Sequence, residues 1–160
     1  MLGGARSGKS AVAERLAARA GGAVTFIATG AAAGDADMAA RIAAHRARRP
    51  ADWNTIEAGS ELVTALGAAP GPALVDSLGT WVAAHPDLTV DAAALCAALR
   101  ARRASTIVVS EEVGLGVHPS SDVGRRFRDV LGALNTAVAE IADEVLLVVA
   151  GRVLPLDRPT

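Results

Sequence analysis

Near the start of the chain, Gly3-Gly4-Ala5-Arg6-Ser7-Gly8-Lys9-Ser10 satisfies the pattern G-x-x-x-x-G-K-[ST]. Each residue type in it suits the binding of a phosphate chain. Glycines let backbone N–H groups turn inward around the phosphates without Cβ clashes. The lysine ammonium reaches the β/γ oxygens, and the serine hydroxyl offers an oxygen to Mg2+. Val12, Leu16 and Ala20 then share one helical face, so the positive end of a helix points at the same anion. A glycine-rich turn capping an ordinary helix would share the glycines. The helical continuation favours the phosphate site.

Two further side chains have types and positions that suit chemistry. Asp76 closes the aliphatic run Ala73-Leu74-Val75. The carboxyl ends of strands face the ligand crevice of an open α/β sheet, and P-loop enzymes place a magnesium-directing aspartate there. The alternative is that Asp76 caps the turn Asp76-Ser77-Leu78. His45 lies on a helical stretch between an apolar edge, Met38 and Ile42, and the displaced Arg41 and Arg48. Neighbouring guanidinium groups disfavour the imidazolium, which would keep a ring nitrogen free as a nucleophile. On the residues alone the ordinary reading, a helix-border histidine, is preferred.

The elements that must position these groups alternate along the chain. Short aliphatic runs at Ala23–Ala28, Ala73–Val75, Ser105–Ser110 and Val145–Val149 are continuously apolar, as expected for parallel strands covered on both faces. Helical segments are expected at Lys9–Ala20, Asp35–Arg49, Glu61–Leu66, Asp91–Arg103 and Asp122–Asp143. In the last, Phe127, Val130, Leu131, Leu134, Val138 and Ile141 fall on one face, with Asp122 placed to cap it. This alternation predicts an α/β, doubly wound, mostly parallel sheet with helices on both faces. Only Met1 and Leu2 precede the glycines, so the first strand is expected to be truncated, or the native start to lie upstream.

Composition narrows the class. With 160 residues the chain fits one domain, and just over half of them are apolar, which argues against extensive disorder. Aromatics are confined to Phe26, Phe127, Trp53 and Trp81, so the core must come from Ala, Val, Leu and Ile. A net charge of −1 gives no field pulling the protein toward nucleic acid or anionic lipid. Cys96 is the only cysteine, which excludes an internal disulfide and a multi-Cys zinc site. No signal peptide is visible, and the longest aliphatic run, Val145 to Ala150, is too short to cross a bilayer. A cytoplasmic address is expected.

Several segments in order resemble one family along nearly the whole chain. They are GGARSGKS at Gly3–Ser10; Ile27-Ala28-Thr29; Asp35-Ala36-Asp37-Met38; Arg41-Ile42-Ala43-Ala44-His45-Arg46; Arg49-Pro50, Trp53, Thr55 and Glu57. Later come Val108-Val109-Ser110-Glu111-Glu112-Val113-Gly114-Leu115-Gly116, then Gly124-Arg125-Arg126-Phe127-Arg128-Asp129, Gly132 and Asn135. The end has Ala142-Asp143-Glu144-Val145 and Val148-Val149-Ala150-Gly151. The pattern is similar to the bifunctional adenosylcobinamide kinase / adenosylcobinamide-phosphate guanylyltransferase family of cobalamin biosynthesis. The block around His45 is its specific part, because a P-loop alone would fit many families.

The resemblance implies a RecA-like fold, a homotrimer and two reactions. Adenosylcobinamide is phosphorylated by ATP or GTP, and GMP from GTP is then transferred to that phosphate with Mg2+ present. It implies that His45 carries GMP covalently, on the logic of nucleophilic catalysis. GTP would be bound by Gly3, Gly4, Ala5, Arg6, Ser7, Gly8, Lys9 and Ser10, by Ala28, Thr29 and Gly30, by Arg46, Ala47, Arg48 and Arg49, and by Glu57 and Asp76, with Ser10 and Asp76 toward the metal. The chain departs from the family pattern twice. Glu111 stands where the family usually has asparagine, and Thr136 where it usually has glutamine. Glu111 reads either as a solvated turn residue or as an extra carboxylate at the crevice. Arg125 and Arg128 read as phosphate contacts or as an exposed basic helix face. The rival functions are a P-loop small-molecule kinase without nucleotidyl transfer and a catalytically decayed nucleotide-binding subunit.

Overall fold

A computed structural model describes residues 1–30 and 50–158. The helix expected over residues 35–49 lies outside the described residues, and with it His45, Arg46, Ala47, Arg48 and Arg49. The strands are β1 (Leu2–Gly3), β2 (Thr25–Ala28), β3 (Asn54–Glu57), β4 (Ala73–Asp76), β5 (Thr106–Glu111), β6 (Leu146–Val149) and β7 (Arg152–Pro155). Around them pack α1 (Lys9–Ala18), α2 (Leu62–Ala68), α3 (Leu78–Ala83), α4 (Ala92–Ala101) and α5 (Asp122–Ile141).

One seven-stranded sheet runs in the order β3-β2-β4-β5-β1-β6-β7. All its pairings are parallel except β6–β7. The first strand is two residues long and sits between β5 and β6, with Leu2 opposite Ser110 on one side and Leu147 on the other.

Alternation along the buried strands sends neighbouring side chains to opposite layers. Ile27 and Val75 pack with Leu62, Leu66, Leu78, Trp81, Leu95, Leu131 and Leu134 from α2–α5. Phe26, Leu74 and Val109 face the other way, against Ala13 and Ala17 of α1. Small alanines let α1 approach the sheet closely. The scarcity of aromatics is thus met by aliphatic side chains from both layers.

Helix ends differ from expectation for local reasons. α1 stops at Ala18, where Arg19 and Ala20 close a tighter turn on Leu16 and Ala17 before Gly21 and Gly22, both at φ 78°. Ser121, not Asp122, caps α5: its Oγ accepts the Gly124 N–H at 3.1 Å, while Asp122 pairs with Arg125 in the first turn. Asp91 caps α4 by accepting the Ala94 N–H at 2.8 Å. Three elements were not foreseen. β3 is a mostly exposed outer strand with a single aliphatic residue, α3 has only six residues, and β7 is an exposed hairpin partner.

Candidate active site

The register places the ends of five strands on one edge. Gly3 lies beside Glu111, Asp76 beside Ala28 and Val109, and Ala28 beside Glu57. This carboxyl edge is where parallel α/β sheets bind ligands.

Residues 3–10 form a loop from β1 into α1. Arg6 (φ 56°) and Gly8 (φ 90°) both adopt left-handed backbone, which folds the chain tightly enough to turn N–H groups inward. Gly3 has no room for a side chain, because a Cβ there would lie 2.5 Å from Ser7 Oγ and 2.8 Å from the Val148 carbonyl oxygen. The β6–β7 turn braces the loop from outside, with the Gly151 N–H donating to the Ser7 carbonyl at 2.8 Å. No side chain caps the start of α1, whose N-cap is Gly8. Its first N–H groups are the kind of uncapped donors that bind anions at helix N-termini.

Lys9 lies in the mouth of this loop. Its Nζ donates to the Gly4 carbonyl at 3.4 Å and stands 3.5 Å from Glu111 Oε1. Glu111 is itself held firmly. Ser77 Oγ donates to Oε1 at 2.9 Å, and the Gly79 N–H donates to Oε2 at 3.0 Å. Gly79 has to be glycine for this approach, since a Cβ would sit 2.0 Å from Oε2. Behind the carboxylate, Asn135 Nδ2 donates to the Glu111 carbonyl at 3.0 Å, and Ser110 Oγ donates to Asn135 Oδ1 at 2.6 Å. The solvated-turn reading of Glu111 is therefore corrected: it ends β5 and pairs with the loop lysine.

A hydroxyl network ties the ends of β2 and β4 to the same carboxylate. Thr29, 1% exposed, donates through Oγ1 to the Ser77 carbonyl at 2.6 Å and accepts the Ser77 N–H at 2.9 Å. Thr80 Oγ1 lies 2.6 Å from Thr29 Oγ1, and Ser77 and Thr80 form a capping box at the start of α3. Sequence reasoning missed Ser77, Gly79, Thr80 and Gly151 as site residues. A run such as Ser77-Leu78-Gly79-Thr80 carries a capping signal, but nothing in it tells which distant carboxylate it will receive.

Of the expected site residues, the structure gathers Gly3–Ser10, Ala28, Thr29, Gly30 and Asp76 on the carboxyl edge. Glu57 shares that edge on the outer strand β3, separated from the loop strand by β2, β4 and β5. Arg125 donates to the Pro119 and Ser120 carbonyls, both at 3.0 Å, and Arg128 bonds Asp129 and His118. Both arginines thus hold the segment leading into α5 and that helix's surface. A cleft of about 980 Å3 opens between α5 and residues 156–158, with Glu112, Val113, Arg128 and Asn135 among its walls and none of Gly3–Ser10 lining it.

A glycine-rich loop with a lysine and serine, leading from a central parallel strand into a helix, defines an α/β protein of the P-loop nucleotide-binding class. Comparison with known proteins narrows this. Residues 1–156 match the family described as cobinamide kinase / cobinamide phosphate guanyltransferase, and the chain belongs to that family. It is 46% identical to the bifunctional adenosylcobalamin biosynthesis protein CobP of Pseudomonas aeruginosa, over 98% of this chain and 95% of the relative. It is 39% identical to the bifunctional adenosylcobalamin biosynthesis protein CobU of Salmonella typhimurium and 36% identical to that of Escherichia coli, in each case over 94% of both chains.

Proposed function

We propose that this protein phosphorylates adenosylcobinamide with ATP or GTP and then transfers GMP from GTP to the new phosphate, giving adenosylcobinamide-GDP and pyrophosphate. The observation that carries the reading is Lys9, set in the mouth of the loop at the carboxyl edge of the sheet in a chain that matches the kinase/guanyltransferase family over residues 1–156. In the kinase half, the loop N–H groups and Lys9 hold the triphosphate and stabilise charge on the transferring group. In the second half, His45 attacks the α-phosphorus of GTP. Its imidazole forms a P–N bond as pyrophosphate leaves, and the acceptor phosphate then displaces it.

Mg2+ fits the donor set. Ser10 opens α1 beside Lys9 and Asp76 ends β4, and a hydroxyl with a carboxylate are hard oxygen donors that leave coordination positions for water and phosphate oxygens. Bound there, the ion would neutralise negative charge on the phosphate oxygens. A cytoplasmic location suits the need for both nucleoside triphosphates. Among the described residues no helix is long and apolar enough to cross a membrane. The homotrimer would give a partner to exposed apolar side chains such as Val149 and Leu154 on the β6–β7 edge.

The test is retention of label from α-labelled GTP. One GMP per chain is expected, stable to alkali and labile in acid as a phosphoramidate is. His45→Ala should erase the label and stop formation of adenosylcobinamide-GDP, while part of the kinase activity persists, because γ-phosphoryl transfer needs no enzyme nucleophile. His85→Ala and His118→Ala are controls. Neither lies in the segment that resembles the family's nucleophile block; His85 Nδ1 bonds the Trp81 carbonyl at 2.9 Å and His118 Nδ1 bonds Arg128 at 2.7 Å. Label that survives His45→Ala and disappears in either control would refute the assignment. No label in the parent protein, with kinase activity intact, would favour the simple kinase.

A further inference from the structure

Glu111 is out of keeping with a phosphate site. A carboxylate beside the lysine that grips the β/γ oxygens repels the very anion the loop is built to hold. Oε2 alone accepts both Ser77 Oγ at 3.1 Å and the Gly79 N–H at 3.0 Å, a role that one uncharged amide oxygen could fill. The negative charge is therefore not explained by the turn. It is explained by Lys9: the ammonium lies 3.5 Å from Oε1, with the two side chains 11% and 29% exposed. An ion pair so shielded is stronger than one at an open surface.

We propose that Glu111 is a fixed counter-ion that occupies Lys9 until a β,γ-phosphate takes the lysine over, so that Glu111 sets the affinity of the site for triphosphates. Ser77, Gly79 and the backbone anchor through Asn135 hold the carboxylate in place independently of Lys9. The exchange thus needs only the flexible lysine side chain to move. The free loop gains a neutralised cation, and each arriving triphosphate has to compete for it. Monophosphates, whose single phosphate need not reach Lys9, escape the competition. This inference rests on the reading of Gly3–Ser10 as the triphosphate site.

The experiment is calorimetric titration of the purified protein with MgATP, MgGTP and GMP, comparing the parent with Glu111→Gln. Glutamine keeps an acceptor oxygen for the turn and removes the charge. MgATP and MgGTP should bind about tenfold more tightly to the variant, and GMP within about twofold of the parent. Without nucleotide the variant should melt lower, and saturating MgGTP should raise its melting temperature by more than it raises the parent's. Gly79→Ala provides a second route, because its Cβ would meet Oε2 at 2.0 Å and displace the carboxylate from the place where Ser77 and Gly79 fix it beside Lys9. It too should tighten triphosphate binding, and it serves alone if the glutamine variant does not fold. Unchanged or weaker triphosphate binding would overturn the proposal, as would an equal gain for GMP. A parent protein that binds neither triphosphate would instead overturn the assignment of the loop itself.

Discussion

Replacing Lys9 with alanine removes the one ammonium placed at the mouth of the loop, and its effect on the two reactions can be sized from the geometry. The 3.5 Å approach of Nζ to a Glu111 oxygen gauges how closely it can meet an anionic oxygen. At an effective dielectric constant near 20, one such contact is worth about 5 kcal/mol gross. Desolvation of the ammonium offsets part of this, leaving roughly 3–4 kcal/mol in the transition state, or a rate loss on the order of 10²–10³. Stability should change far less. Glu111 keeps its bonds from Ser77 and Gly79, and losing a pair partly shielded from solvent should cost folding on the order of 1 kcal/mol. Kinase turnover and GMP transfer are measured on the same preparation of Lys9→Ala, with a melting curve as control. Both rates should collapse while the melting temperature moves by only a few degrees. Near-normal GMP transfer would refute the assignment of the loop, because both reactions draw on one triphosphate site.

Two further predictions concern the backbone that shapes this loop. Ala150 sits at φ 50° before Gly151 at φ 72°, a pair of left-handed residues joining β6 to β7 that suits a type I′ turn. Ala150→Gly should relieve about 1 kcal/mol of strain and raise the melting temperature by roughly 2–4 °C, and a lower melting temperature would contradict the strain argument. Gly3→Ala forces a Cβ to within 2.8 Å of the Val148 carbonyl oxygen, a backbone atom that cannot swing away. It should destabilise the fold by about 1–3 kcal/mol and weaken nucleotide binding, read from denaturant melts and titration, and parent-like values for both would show that the loop has slack.

Much of this protein is legible in its sequence because the signals are local. The loop Gly3–Ser10 announces itself by glycine, lysine and serine at fixed spacing, since the backbone cannot wrap a phosphate with other residues there. The continuous apolar run ending at Ala28 marks a buried parallel strand, the run ending at Val149 marks β6, in which Val148 alone is buried, and the 3.6-residue repeat from Phe127 to Val138 marks α5, whose Leu131 and Leu134 are fully covered. Local pattern cannot reach what depends on distant neighbours. β3, with Ile56 as its one aliphatic residue, becomes a strand because β2 offers it an edge, and β7 because the Ala150-Gly151 turn folds it back on β6. The role of Glu111 is likewise tertiary. Its carboxylate meets Lys9 from a residue 102 positions earlier, and Ser77 and Gly79 from more than 30 positions away. Sequence spacing defines what a residue can do, but only the strand order, with β5 laid between β4 and β1, decides which charge stands beside which.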